Sequence, residues 1–203
     1  MANKKGKKKE IKISKKLLNK IEIGIIIFII LVGIIIYINT RTLSSEDASK
    51  IAYEKYIEVE NVLSKVLTGT DWLTLSDECI EQNGYKFCKS ASEHLLEYDD
   101  LKKYINSVCT KDFTKSILEE KEIVFKNIDG KLYVLATNRN TDVFYAGLKE
   151  VKPASISSHE IKCEVVCNYF IDLESQELYT MSYDFVINKS FGNWKASFFE
   201  LPY

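Results

Sequence analysis

The stretch IGIIIFIILVGIIIYINT, residues 23–40, carries no charge, and its block 23–38 consists of aliphatic, aromatic and glycine residues only. A helix that is apolar on every side must bury itself in lipid or in a large core. At ~1.5 Å per residue it reaches roughly 27 Å, close to a hydrocarbon thickness of ~30 Å. Residues 23–40 therefore predict a transmembrane helix in contact with the lipid bilayer. Nine lysines (4, 5, 7, 8, 9, 12, 15, 16 and 20) against Glu10 and Glu22 give residues 1–40 a charge of +7. Positive flanks resist translocation, so the tail 1–22 is expected in the cytoplasm. A cleavable signal peptide is the rival reading. Its apolar region is shorter and ends in a small-x-small site, whereas Tyr37-Ile38-Asn39-Thr40-Arg41 follows here. An uncleaved signal anchor is the better fit, with residues 41–203 outside the cytoplasm.

That body carries the remaining 19 basic residues against 27 acidic ones, a charge of −8. Only Arg41 and Arg139 are arginine. Base reading in nucleic acids favours arginine forks, so the lysines of the tail read as topogenic charge and as attraction to anionic lipid, with no nucleic-acid partner. The body is long enough for one domain. Its two prolines, Pro153 and Pro202, mark no linker.

Ser44 and Asp47 have capping-box spacing ahead of a helix whose apolar face is Ala48, Ala52, Tyr56, Val59, Leu63 and Val66. Gly69 is placed to stop it, and Trp72-Leu73-Thr74-Leu75 reads as a short strand. In Cys79-Ile80-Glu81-Gln82-Asn83-Gly84-Tyr85-Lys86-Phe87-Cys88 the Asn-Gly pair predicts a two-residue hairpin loop. The register sets Gln82 opposite Tyr85, Glu81 opposite Lys86, Ile80 opposite Phe87 and Cys79 opposite Cys88. The cysteines fall on a non-hydrogen-bonded pair, with Cα atoms ~4.5 Å apart. A disulfide, which persists outside the cytoplasm, is the leading reading. Paired free thiols are the alternative, and no ligand spacing supports a metal.

A helix follows over 98–109 with Leu101, Tyr104, Ile105 and Val108 on its apolar face. Another runs from Thr110 or Asp112 to about Glu120. From residue 122 the period changes to two. Asp129-Gly130 predicts a second hairpin, and longer strands are expected over 142–151, 157–173, 177–188 and 193–201. Their turns are expected near Pro153, Glu174-Ser175-Gln176 and Phe191-Gly192-Asn193. Helices first and antiparallel strands afterwards define an α+β domain, residues 41–203, closing on an antiparallel β-sheet.

No catalytic constellation, metal site or cofactor motif is found. Cys109 and His94 are the nearest approach to a thiol–histidine pair, and no motif supports them. Cys163 and Cys167 share one face of a strand about 13 Å apart, too far to pair with each other. Pairing of one of them with Cys109 is one reading, and burial of all three as small apolar residues is the plainer one. Glu97-Tyr98-Asp99-Asp100 and Glu119-Glu120-Lys121-Glu122 are acidic clusters. Dipole partners and solvated faces are the plain reading, and an acidic contact surface for a basic protein is the functional one.

Four features in order resemble the bacterial inhibitors of cell-wall DL-endopeptidases. They are the Asn83-Gly84-Tyr85 hairpin, the Tyr98-Asp99-Asp100-Leu101 helix start, the Cys109-Thr110-Lys111-Asp112-Phe113 junction, and Ile128-Asp129-Gly130-Lys131-Leu132-Tyr133. Asn138-Arg139-Asn140-Thr141-Asp142-Val143-Phe144-Tyr145 stands where members often carry an Asp-Arg-Gly segment, and the glycine after the arginine is absent here. The similarity covers roughly residues 46–170. It implies a non-catalytic body that blocks a cell-wall peptidase by steric and electrostatic contact, with Tyr98, Asp99, Asp100, Arg139, Asp142 and Tyr145 as partner-binding residues. Such inhibitors are secreted, whereas this chain carries an anchor. The helix order and the final Asn193-Trp194-Lys195 strand also look like the NTF2-like cone fold, which implies an assembly or ligand-binding module of the cell envelope.

Overall fold

The computed structural model describes residues 15–40, 43–68, 71–121, 124–137, 142–174, 176–190 and 192–203. The tail up to residue 14, Gly69 and Arg139 lie outside the described residues. The chain divides into two units, Met1–Arg41 and Thr42–Tyr203.

The first unit is a helix, α1 (Lys15–Thr40). Side chains 23–37 are exposed all round, as a helix without a polar face requires. Among the described residues no helix is long and apolar enough to cross a membrane.

The second unit opens with α2 (Ser45–Thr68). Ser44 caps it: its hydroxyl accepts the Asp47 amide at 3.1 Å and donates to the Asp47 carboxylate at 2.7 Å. The cap falls at the predicted residue, but the reciprocal arm runs from hydroxyl to carboxylate instead of from backbone to carboxylate. Ala48, Ala52, Tyr56, Val59, Leu63 and Val66 are all buried, and this face lies on strands of the second sheet.

β1 (Leu75–Gln82) and β2 (Tyr85–Ser90) follow. Their register is the predicted one, residue for residue, from Gln82 opposite Tyr85 to Cys79 opposite Cys88. Asn83 and Gly84 take φ of 53° and 79°, the paired positive values that a tight hairpin needs. The Cys79 and Cys88 sulfurs lie at bonding distance and the Cα atoms 4.0 Å apart. The piece 72–75 is a strand only from Leu75; Trp72 and Leu73 form a turn, and Trp72 stacks on Tyr104 at 5.5 Å.

Helices α3 (Tyr98–Asn106) and α4 (Lys111–Glu120) are joined by a short turn. Thr110 caps α4 through its side chain, accepting the Phe113 amide. β3 (Phe125–Ile128) and β4 (Lys131–Leu135) form the Asp129-Gly130 hairpin. Then come β5 (Tyr145–Ile156), β6 (Glu160–Phe170), β7 (Leu178–Ser190) and β8 (Asn193–Phe199).

The strands make two antiparallel four-stranded sheets, β1-β2-β4-β3 and β5-β6-β7-β8, where one sheet was expected. The early hairpin recruits β4, with Cys88 opposite Val134. A period of two marks a strand without naming its partner. Pro153 is not at a turn. It lies inside β5, opposite Cys163 and beside a register shift. β5 is an edge strand, where a missing N–H costs no ladder bond. The turn comes later, where the Ser157 hydroxyl accepts the amides of His159 (3.2 Å) and Glu160 (2.9 Å).

One hydrophobic core runs through the second unit, from Ala48 and Leu63 to Phe185, Ile187 and Phe199. The α3–α4 junction is tied to the far end of the chain. The Thr110 amide donates to Ala196 O at 2.7 Å and the Ala196 amide to Val108 O at 2.9 Å.

Candidate functional site

The first turn of α3 gathers Tyr98, Asp99 and Asp100. The Asp100 carboxylate accepts the Glu97 amide at 3.3 Å and pairs with Lys103 at 3.0 Å. The Lys103 ammonium, with help from the Glu97 amide, holds its carboxyl below the usual carboxylate range. Asp99 is exposed and pairs with Lys102 at 3.0 Å. The Lys102 ammonium also lies 5.2 Å from the centre of the Tyr98 ring. Glu97 pairs with Lys131 across to β4. The helix head is thus acidic in sequence but laced with lysines one turn on.

Asp142 and Tyr145 stand elsewhere, at the head of β5. Asp142 accepts the Phe144 amide at 2.9 Å and remains exposed. Tyr145 packs into a tyrosine cluster, 4.5 Å from Tyr203 and 5.7 Å from Tyr169 between ring centres. Burial pushes its phenol well above the ordinary range. Next to it Tyr169 shares a 2.6 Å hydrogen bond with Tyr183 and donates to the Pro202 carbonyl. Of the expected contact residues, the structure brings Tyr98, Asp99 and Asp100 together on α3. It sets Tyr145 on the second sheet and Asp142 three residues ahead of that strand. Arg139 lies outside the described residues.

The cysteines divide the same way. Cys79 and Cys88 are bonded, while Cys109, Cys163 and Cys167 are free and buried. Burial pushes the thiols of Cys109 and Cys163 up to about 12. A nucleophilic cysteine needs the thiolate, and at neutral pH these are thiols. The charge that acts on Cys109 is Lys195, and His94 is exposed. Among the described residues no group of His, Cys, Asp and Glu could hold a metal ion.

A cavity of about 590 Å³ lies between α3, α4 and β3. Its lining includes Tyr98 and four lysines, Lys102, Lys111, Lys115 and Lys126, against one acidic residue, Glu119. Sequence reading missed it. The available signal was the i,i+4 spacing of Lys111 and Lys115 on α4 and of Lys102 and Asn106 on α3, each of which sets two polar side chains on one face. No protein-family model matches the chain, and no curated protein matches it.

Proposed function

We propose that this chain is a membrane-tethered, extracytoplasmic protein that acts without catalysis, its body inhibiting cell-wall DL-endopeptidases by steric and electrostatic blocking. The observation that carries the reading is a convergence. The segments on which the resemblance rests are scattered along the sequence, yet three of them meet around the first sheet. The Tyr98 amide donates to Gly130 O at 2.9 Å, joining the Tyr-Asp-Asp-Leu helix head to the Asp129-Gly130 hairpin. β4 of that hairpin pairs with β2 of the Asn-Gly-Tyr hairpin, Lys89 opposite Tyr133. A contact surface built on these segments would be continuous. Glu78 stiffens it: hydrogen bonds from Lys89 and Tyr133 hold its carboxyl below the usual range. The bonded Cys79–Cys88 pair fits an oxidising compartment. The all-round exposure of the apolar residues 23–37 fits a helix solvated by lipid.

The body, residues 44–203, contains every buried side chain of the core among the described residues, from Ala48 to Phe199, and is the material for the test. It is expected to slow peptidoglycan hydrolysis by purified DL-endopeptidases in a dose-dependent way. The triple variant Asp99→Asn, Asp100→Asn, Asp142→Asn keeps an acceptor for the Glu97 and Phe144 amides while removing three charges. Exposed charges contribute modestly each, so its inhibition constant is expected to rise about tenfold. Unchanged inhibition in that variant would remove the electrostatic version. No inhibition by the unsubstituted body across several such enzymes would remove the reading.

One observation favours the second reading, an NTF2-like assembly module. β8 pairs with β7 only from Phe185 onward, so among the described residues β7 positions 178–184 have a strand partner on one side alone. Leu178, Tyr179 and Met181 there are exposed, and residues 178–183 carry no charge. An unpaired, uncharged strand edge is a template for a further strand. On this reading a second copy pairs with it, and the body sediments as a dimer that Met181→Lys converts to monomer. A monomeric body at all concentrations would exclude it.

A further inference from the structure

We propose that the cavity between α3, α4 and β3 is a binding site for a small polyanion that also carries a hydroxyl or amide donor. The inference stands independently of whether the body inhibits a peptidase.

Four lysines and one glutamate line the space. Two of the four are answered within the protein, Lys102 by Asp99 at 3.0 Å and Lys115 by Glu119 at 3.6 Å. Lys111 and Lys126 enter no ion pair among the described residues; Lys126 rests 4.8 Å from the centre of the Phe87 ring. Lys111, without an ion-pair partner, and Lys126, shared with the Phe87 ring, both border the cavity in a body that is otherwise acidic, and they favour an occupant with at least two oxyanions. Lysines act as point charges rather than as planar forks. The site therefore selects for charge, and carboxylate and phosphate oxygens satisfy it alike.

A second, independent observation points to a ligand. Thr114 on α4 is 2 % exposed, and its hydroxyl has no hydrogen-bond partner among the described residues. The Asn106 side-chain carbonyl on α3 is likewise buried without one. Both residues line the cavity. Buried polar atoms are nearly always satisfied, and these two sit on facing helices around the same space. The Asn106 oxygen can only accept, so its partner must bring an N–H or O–H. Asn106 is itself held in place, its backbone carbonyl accepting from Lys195. Leu118, Phe125 and Ile128 supply an apolar wall. The volume falls in the range of small-molecule sites.

Three probes test this by calorimetry on the full chain in lipid nanodiscs at low ionic strength. Citrate offers three carboxylates and one hydroxyl. Tricarballylate offers the same carboxylates without the hydroxyl. Inorganic pyrophosphate offers phosphate oxygens. Saturable citrate binding is expected, about tenfold tighter than tricarballylate, because a site with an unpaired acceptor penalises the analogue that lacks the donor. The double variant Lys111→Gln, Lys126→Gln is expected to weaken citrate binding about tenfold or more. Thr114→Val removes a hydroxyl with no internal partner, so the melting temperature should hold or rise while citrate affinity falls. Pyrophosphate binding tighter than citrate would identify the oxyanion as phosphate, and the reverse order as carboxylate; either supports the site. Failure of both citrate and pyrophosphate to bind saturably, or an affinity unchanged in the lysine double variant, overturns it. Equal affinity for citrate and tricarballylate overturns the donor requirement.

Discussion

Phe185→Ala is expected to cost the body about 3–5 kcal/mol of stability, the range for deleting a fully buried aromatic side chain. Phe185 is 0 % exposed. Its ring stands edge-on to Tyr56 at 5.7 Å and to Phe199 at 5.9 Å, and those two rings lie 5.7 Å apart. The triangle joins α2, β7 and β8. On the backbone Phe185 is opposite Cys163 in β6 and Phe199 in β8, so strands on both sides hold its walls in place and resist collapse into the vacated space. Domains of this size have total stabilities of roughly 5–15 kcal/mol. The loss is then a large share of the whole, and the melting temperature should fall by roughly 6–20 °C. Chemical denaturation of the variant beside the unsubstituted body measures it. A loss below about 1 kcal/mol would mean that the aromatic triangle does not carry the packing between helix and sheet.

The second large effect is expected from the bridge. Replacing Cys79 and Cys88 by serine, or reducing the native protein, should cost about 2–3 kcal/mol by the loop-entropy relation for so short a loop. The loss should not stay in the hairpin. β2 is an interior strand, bonded to β1 on one side and to β4 on the other. Loosening β1 therefore unsettles the sheet against which the Tyr98-Asp99-Asp100 turn is held. The measurement is the urea midpoint with and without reductant. The native chain should shift and the double serine variant should not. Thiol labelling of native, unreduced protein should modify neither Cys79 nor Cys88; labelling of both would show the bridge to be absent.

Much of the local structure was legible because its causes are local. The Asn83-Gly84 loop sets its own register, Ser44 and Thr110 announce helix starts, and the spacing from Ala48 to Val66 describes the face that α2 buries. The division into two sheets was not legible, because strand alternation says which face is buried and not which strand lies alongside. Pro153 misled for a related reason. Proline marks turns, but an edge strand tolerates it, and only the finished topology shows that β5 is an edge. The candidate site suffered most. Asp142 and Tyr145 are close in sequence to Arg139, yet the Tyr145 ring belongs to the cluster with Tyr169 and Tyr203. The cavity draws on three elements whose convergence no single segment encodes.

The two hydrogen bonds between the α3–α4 junction and Ala196 have a consequence for valence. They lie on the outer side of β8, which would otherwise be an open edge of the second sheet. The opposite edge, β5, is blunted by Pro153 and by the charges of Lys149, Glu150 and Lys152. What stays open is the half of β7 that β8 does not reach. A sheet with two receptive edges adds copies end to end without limit, because each addition exposes a fresh edge. A sheet with one can pair once and is then satisfied, by a two-fold arrangement in which the same edge meets itself. The short tie at Ala196 thus removes one of the edges by which the second sheet could be extended, and with it the geometry that end-to-end growth of that sheet requires.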